Sequence, residues 1–228
     1  MTHILRKYSK VPGDLVNAFR NLATATIYEA AGQMGMVDPE IRAIYRGARV
    51  CGTAVTVECH VGDNLMLHKA VTVAGPGDIL VATIGEHTKA GAWGEILVTA
   101  AEARGISGLV IDGAVRDAEA IEVHQFPVFA RGLCIGATMK RNIGRINHPL
   151  VCGNALVEPG DLVIGDRDGV VVVPIEKAQE ILANALAREA REAILMEKLR
   201  QQVTTLELLG LERILAELGL TEEARDQG

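Results

Sequence analysis

The sequence predicts an α/β domain followed by a long helical arm. Three observations predict it: apolar runs of strand length alternate with helical periodicity, Gly- and Pro-rich turns separate them, and an unbroken helical pattern begins soon after Pro174. A chain of 228 residues accommodates one large domain with an appendage, and the division falls between 1–174 and 175–228. With 49% hydrophobic and 23% charged residues it buries a substantial core, and at 3% aromatics that core is built from Val, Ile, Leu and Ala.

Taken in order, the first helix runs from about 12 to 21, with Pro12 suited to a first helical turn. A second covers 24–34, with Ile27, Ala30 and Ala31 on its apolar side, and Glu29 reads as an exposed helix carboxylate. Residues 52–58 alternate as a strand, and Gly62-Asp63-Asn64 caps a helix through Leu67, His68 and Ala70. The turn Gly75-Pro76-Gly77-Asp78 launches a strand at 79–83, and Glu158-Pro159-Gly160-Asp161 launches another at 162–164. After Asp117, residues 118–124 are helical, 126–130 strand-like and 139–150 polar and loop-like. Asp168-Gly169 marks a hairpin before the Val170 to Val173 run; Asp166-x-Asp168-Gly169 lacks the other ligands of a calcium loop. From 176 to about 200 the chain is one helix, with Ala178, Ile181, Leu182, Ala185 and Leu186 as its stripe. A short helix at 206–218 and a charged tail end it.

Composition also excludes partners. A net charge of −6 and so few rings for stacking bases argue against nucleic acid. Cys51, Cys59, Cys134 and Cys152 are far apart without Cys-x-x-Cys spacing, and read as reduced thiols, three of them in or beside strands. No charged-then-apolar leader and no membrane-length apolar run are present, so a cytoplasmic protein that does not meet the membrane is expected.

The stretch 91–117 concentrates the chemistry. A Gly-rich turn at 91–94 leads into a helix from Glu95 to about Arg104, stopped by Gly105, and a buried-type strand at 109–111 runs on to Arg116-Asp117. The amides of Gly94, Glu95, Ile96 and Leu97 are open at the helix start, with the positive end of the dipole behind them. A returning strand brings Arg116 and Asp117 beside them, giving a site for an anionic substrate and a divalent metal; a surface ion pair is the plainer alternative.

Gly94-Glu95, twenty residues, then Arg116-Asp117 resembles the signature of the class II pyruvate aldolases acting on 4-hydroxy-4-methyl-2-oxoglutarate and 4-carboxy-4-hydroxy-2-oxoadipate. The regulator of ribonuclease E activity shares their scaffold. The resemblance extends through Leu22 to Glu29, Gly62-Asp63-Asn64-Leu65, Gly165 to Pro174 and the helical tail. It implies a swivelling β/β/α domain assembled as a homotrimer or homohexamer. It also implies an arm that reaches the next protomer with a glutamate, matched best by Glu192 with Glu189 as competitor, and places the counterpart of Glu29 near the active site.

Cleaving a carbon–carbon bond beside an alcohol requires an electron sink, and a 2-oxo acid provides one if its keto oxygen is polarised. Lys69, Lys89 and Lys140 sit in polar contexts unsuited to an imine. The expected sink is therefore Mg²⁺ or Mn²⁺ on Asp117, with Glu95 as second ligand or acting on one of the ion's waters. Arg116 binds substrate and favours the developing enolate, the amides of Gly94, Glu95, Ile96 and Leu97 hold the pyruvyl carboxylate, and the base is Glu192, Glu189 or a water. The products are pyruvate and, from the carboxylated substrate, oxaloacetate, whose decarboxylation is an expected side activity. The other reading is a non-enzymatic protein that binds and restrains ribonuclease E.

Overall fold

The computed structural model describes residues 3–221; the charged tail expected beyond them lies outside the described residues. Two helices open the chain, α1 (Gly13–Phe19), with Pro12 at its N-cap, and α2 (Thr24–Ala30). The second stops short of the expected 34 because Gly32 and Gln33 turn to positive φ, which no helix continues. Next come β1 (Arg42–Ala43) and β2 (Val50–Glu58), then α3 (Leu65–Val71), β3 (Asp78–Gly91), α4 (Glu95–Glu102), β4 (Gly108–Val115), α5 (Ala118–His124) and β5 (Val128–Leu133).

Strands β2, β3, β4 and β5 are parallel neighbours. A chain that must return to the same end before each new strand crosses over through a helix. All three crossover helices therefore start at one edge of the sheet, where the strands finish, and that edge carries the candidate site. β2 is buried on both faces from Val50 to Val57, not on one face as its alternation suggests. It lies inside the sheet, with β3 on one side and β9 (Leu162–Gly165) on the other.

Three shorter strands precede β9: β6 (Arg145–Ile146), which pairs with β2, and the hairpin β7 (Leu150–Cys152) and β8 (Ala155–Val157). The hairpin expected at Asp168-Gly169 joins β9 to β10 (Val170–Val173), completing the order β1-β5-β4-β3-β2-β9-β10. Asp166 is committed to that turn: its carboxylate accepts the Thr24 N–H (3.0 Å) and hydroxyl (2.6 Å) and the Asp168 N–H (3.0 Å). The two Pro-Gly-Asp turns close alike, Asp78 accepting the Gly75 N–H and Asp161 the Glu158 N–H, each at 2.9 Å. They launch the strands that flank β2, for Thr53 pairs with Asp78 on one side and Leu162 on the other.

A 3₁₀ turn (Ile175–Lys177) leads into α6 (Ala178–Arg200). The chain forms two compact units, Met1–Ala185 and Leu186–Gly228. The first extends past Pro174 because Ala178, Ile181 and Ala185 are buried in a cluster with Phe19, Ile27, Leu162 and Val173. In the second, the single helix expected at 206–218 is two, α7 (Thr205–Leu208) and α8 (Leu211–Glu217), parted by Gly210 at φ +64°. Leu186, Ile194, Leu209 and Leu218 are exposed there. No helix among the described residues is long and apolar enough to cross a membrane.

Cys51, Cys59 and Cys152 are buried, as their strand context suggests, and Cys134 is half-buried. Burial pushes the Cys51 thiol up to about 11 and the Cys59 thiol up to about 12, so both stay protonated.

Candidate active site

The site is assembled by stitching the end of β3 to the end of β4. Ala92 donates its N–H to the Ala114 carbonyl (2.9 Å), and Arg116 donates its N–H to the Trp93 carbonyl (2.8 Å). Trp93 is fully buried and stacks on Phe126 at 6.1 Å between ring centroids, which fixes this crossing from below. Gly94 and Asp117 are thereby brought side by side. Asp117 takes φ +58° at the N-cap of α5, a left-handed conformation that aspartate tolerates better than most residues. Its Oδ2 accepts the Glu95 N–H (3.1 Å) and lies 3.7 Å from Arg116 Nε. Both side chains remain about two-fifths exposed, at 42% and 41%.

A pocket of about 300 Å³ opens here, with Gly94, Ile96, Leu97, Arg116 and Asp117 in its wall. The four expected amides are not equally open. The Glu95 N–H is taken by Asp117, and the Leu97 N–H by the Gly94 carbonyl at 3.0 Å. The Gly94 and Ile96 amides have no acceptor among the described residues and remain for a ligand. The Glu95 carboxylate also differs from the expectation. Its Oε1 lies 3.9 Å from His124 Nε2 on α5, and the side chain is not part of the pocket wall. Glu95 contributes to this arrangement through its backbone, because α5 offers its carboxylate an imidazole.

Four polar residues outside the expected set line the same pocket: Asn64, His68, Thr138 and Lys140. Asn64 donates from Nδ2 to the Ala92 carbonyl (2.8 Å). Burial, with the Lys140 charge adding to it, holds His68 below its ordinary value and so neutral at pH 7. Lys140 is exposed and lacks the desolvation an imine-forming lysine needs. What brings the 138–140 loop here is Asp63. Its buried carboxylate takes the first N–H of α3, from Leu65 (2.8 Å), and also accepts the N–H groups of Arg141 (2.7 Å) and Asn142 (3.0 Å) and the Asn142 amide (3.2 Å).

Burial alone would raise the Asp63 carboxyl; those hydrogen bonds outweigh it and hold the carboxyl below the usual range. The stability this contributes is complete above about pH 4, the unfolded value, and is lost as pH falls through the folded value. Asp63→Asn is expected to cost about 1–3 kcal/mol at neutral pH. Urea unfolding at neutral pH and near pH 3 checks it, since the gap between the two proteins must narrow in acid.

Gly94 has extended backbone, so glycine is not required there by conformation. Contact requires it: a Cβ would collide with Asp117 Oδ2 and meet Arg116 Cγ at 3.1 Å. Gly94→Ala should displace the carboxylate and lower kcat/KM about ten- to a hundredfold with little change in Tm, measured by steady-state kinetics beside a thermal melt.

The described residues hold no cluster of three or more His, Cys, Asp or Glu placed for a metal. One carboxylate with an oxygen to spare, in an open polar pocket, fits a hard ion that keeps most of its waters, Mg²⁺ or Mn²⁺, and not tetrahedral zinc. Glu192 and Glu189 belong to the second compact unit. Glu192 is half-buried and ion-paired with Arg188 one turn before it (2.7 Å), whereas Glu189 is exposed.

A mixed sheet whose four parallel strands end at a pocket holding a carboxylate, a guanidinium and two open amides defines the class, and comparison defines the family. Residues 24–172 match the RraA-like (Aldolase/RraA) family model, and the chain belongs to that family. It is 38% identical over 178 residues to a protein of Halalkalibacterium halodurans named "Putative 4-hydroxy-4-methyl-2-oxoglutarate aldolase", covering 78% of this chain and 84% of that one. Among solved structures, an uncharacterized protein from Pseudomonas syringae is 28% identical with a TM-score of 0.77, covering 86% of this chain and 97% of its own. Streptomyces coelicolor RraAS2, described as an unusual member of the RNase ES inhibitor RraA family, is also 28% identical. Its TM-score is 0.74, and the match covers 83% of this chain and all of that one (100%). The family thus includes proteins named as aldolases and others described as ribonuclease inhibitors.

Proposed function

We propose that this chain is a divalent-metal-dependent lyase that cleaves 4-hydroxy-2-oxo acids to release pyruvate. The substrates are 4-hydroxy-4-methyl-2-oxoglutarate, giving two pyruvates, and 4-carboxy-4-hydroxy-2-oxoadipate, giving pyruvate and oxaloacetate, as in bacterial breakdown of aromatic acids. The observation that carries the reading is the meeting of Asp117, Arg116 and the unpaired Gly94 and Ile96 amides in one pocket, with Lys140 also in its wall.

Bound to Asp117, Mg²⁺ or Mn²⁺ would supply Lewis acidity to the keto oxygen. The Gly94 and Ile96 amides hold the C1 carboxylate, assisted by Lys140. Arg116, a permanent cation with a planar fork of donors, orients the substrate and favours negative charge developing at C2. A base takes the proton from the C4 hydroxyl. The C3–C4 bond breaks, C4 becomes a carbonyl, and the electron pair passes to C3 and C2 as pyruvate enolate, which is then protonated at C3. Glu192 from a neighbouring protomer of a trimer or hexamer is the proposed base, in keeping with the exposed apolar residues of the second unit. Loss of CO₂ from oxaloacetate leads to the same enolate and is the proposed side activity.

Pyruvate release from both substrates, with Mg²⁺ and after chelation, tests the proposal; turnover that survives complete chelation removes the metal from it. The similarity to RraAS2 supports a second reading, restraint of a ribonuclease. No turnover on either substrate, together with inhibition of RNase E cleavage by the purified protein, would establish that reading instead.

A further inference from the structure

The amide-lined pocket shares a wall with a second hollow. Arg116 and Asp117 line both. The second, about 560 Å³, runs across the start of α5 and the end of β5, between Ala118, Glu119 and Ala120 on one side and Leu133, Cys134 and Ile135 on the other. The two differ in charge. The first adds Lys140 and two open amides to the shared pair, whereas the lining residues of the second add no cation. They add instead the Glu119 carboxylate, in the first turn of α5, and the large apolar side chains of Leu133 and Ile135, 59% and 97% exposed.

We propose that this second hollow receives the C4 branch of the substrate and selects an uncharged, apolar branch over one that ends in a carboxylate. The inference rests on the aldolase reading. With the C1 carboxylate on the amides and the keto group at the shared wall, C4 and its branch extend past Arg116 into the hollow. A branch carboxylate there faces Glu119 with no further cation to offset it, for Arg116 already serves Asp117 and the keto acid. A methyl branch meets Leu133 and Ile135 and loses only water. In a half-exposed groove the repulsion and the lost apolar contact together amount to about tenfold in kcat/KM.

The two substrates named above differ at C4 by methyl against carboxymethyl, so they serve as the probes. Wild-type protein is expected to favour the methyl compound about tenfold. In Glu119→Gln that ratio should fall several-fold, and in Leu133→Lys, which sets a cation in the apolar wall, it should approach one or invert. A wild-type preference for the carboxymethyl compound overturns the inference, as does a ratio that Glu119→Gln leaves where it was. In both cases the aldolase reading stands, because pyruvate is still released. Cleavage of neither compound overturns that reading and this inference with it.

Discussion

Asp117→Asn is expected to lower pyruvate release about a thousandfold while leaving the melting temperature of the protein unchanged. The asparagine variant separates charge from shape. Asn tolerates the left-handed backbone that Asp117 adopts at φ +58°, and its amide oxygen still accepts the Glu95 N–H. What it removes is the negative charge that would hold the divalent ion. Asp117→Ala removes charge, acceptor and backbone preference together, so a small stability loss should accompany the same loss of rate. Arg116→Ala should cost about 10²–10³-fold, the usual scale for deleting one preorganised donor at developing charge. Arg116→Lys should recover only part of it, since an ammonium lacks the planar fork. Because both side chains are about two-fifths exposed, neither change has a buried partner to orphan. Steady-state kinetics beside thermal melts decide the matter: an active Asp117→Asn would reduce Asp117 to a clamp on the start of α4.

How much of this was legible in the sequence depended on distance along the chain. Asp117 and Gly94 meet through a single strand–helix–strand step, and such a step returns the chain to the edge it left, so their proximity follows from local pattern. The extent of β3 did not follow. An apolar run marks 79–83, but the strand continues to Gly91 past the exposed Glu86, Thr88 and Lys89, with His87 pairing Gly113 and Gly91 pairing Ala114 across register shifts. Gly91 therefore ends a strand where its composition suggested a turn. Lys140 and Thr138 were hidden for another reason. They reach the pocket because Asp63 grips Arg141 across 78 residues of chain, and an aspartate ahead of a helix reads as an ordinary cap. The orientation of the Glu95 carboxylate was equally hidden, since it depends on His124 of the next helix. Local chemistry was readable; contacts between remote segments required the fold.

The largest loss of stability should come from Arg131→Met, about 3–5 kcal/mol. Arg131 lies on β5 with its side chain only 8% exposed, and it is ringed by acids. Its Nε bonds the buried Asp112, while Nη1 reaches Asp38 (3.1 Å) and Glu40 (3.0 Å). Asp112 also accepts the Gly153 N–H (2.9 Å), so one guanidinium joins β4, β5, the 38–40 loop and the β7–β8 turn. Hydrogen bonding to Asp112, against the opposing effect of burial, holds the guanidinium firmly in its charged form. Methionine matches much of the volume but leaves the Asp112 carboxylate buried without its cation. Asp112→Asn within the Arg131→Met background should therefore restore part of the loss, because a neutral amide keeps the Gly153 contact at lower desolvation cost. A double-mutant cycle in urea reads this directly. Strict additivity of the two single changes would mean that the ion pair contributes nothing beyond the packing of its parts, and that these four segments are held together by the apolar core alone.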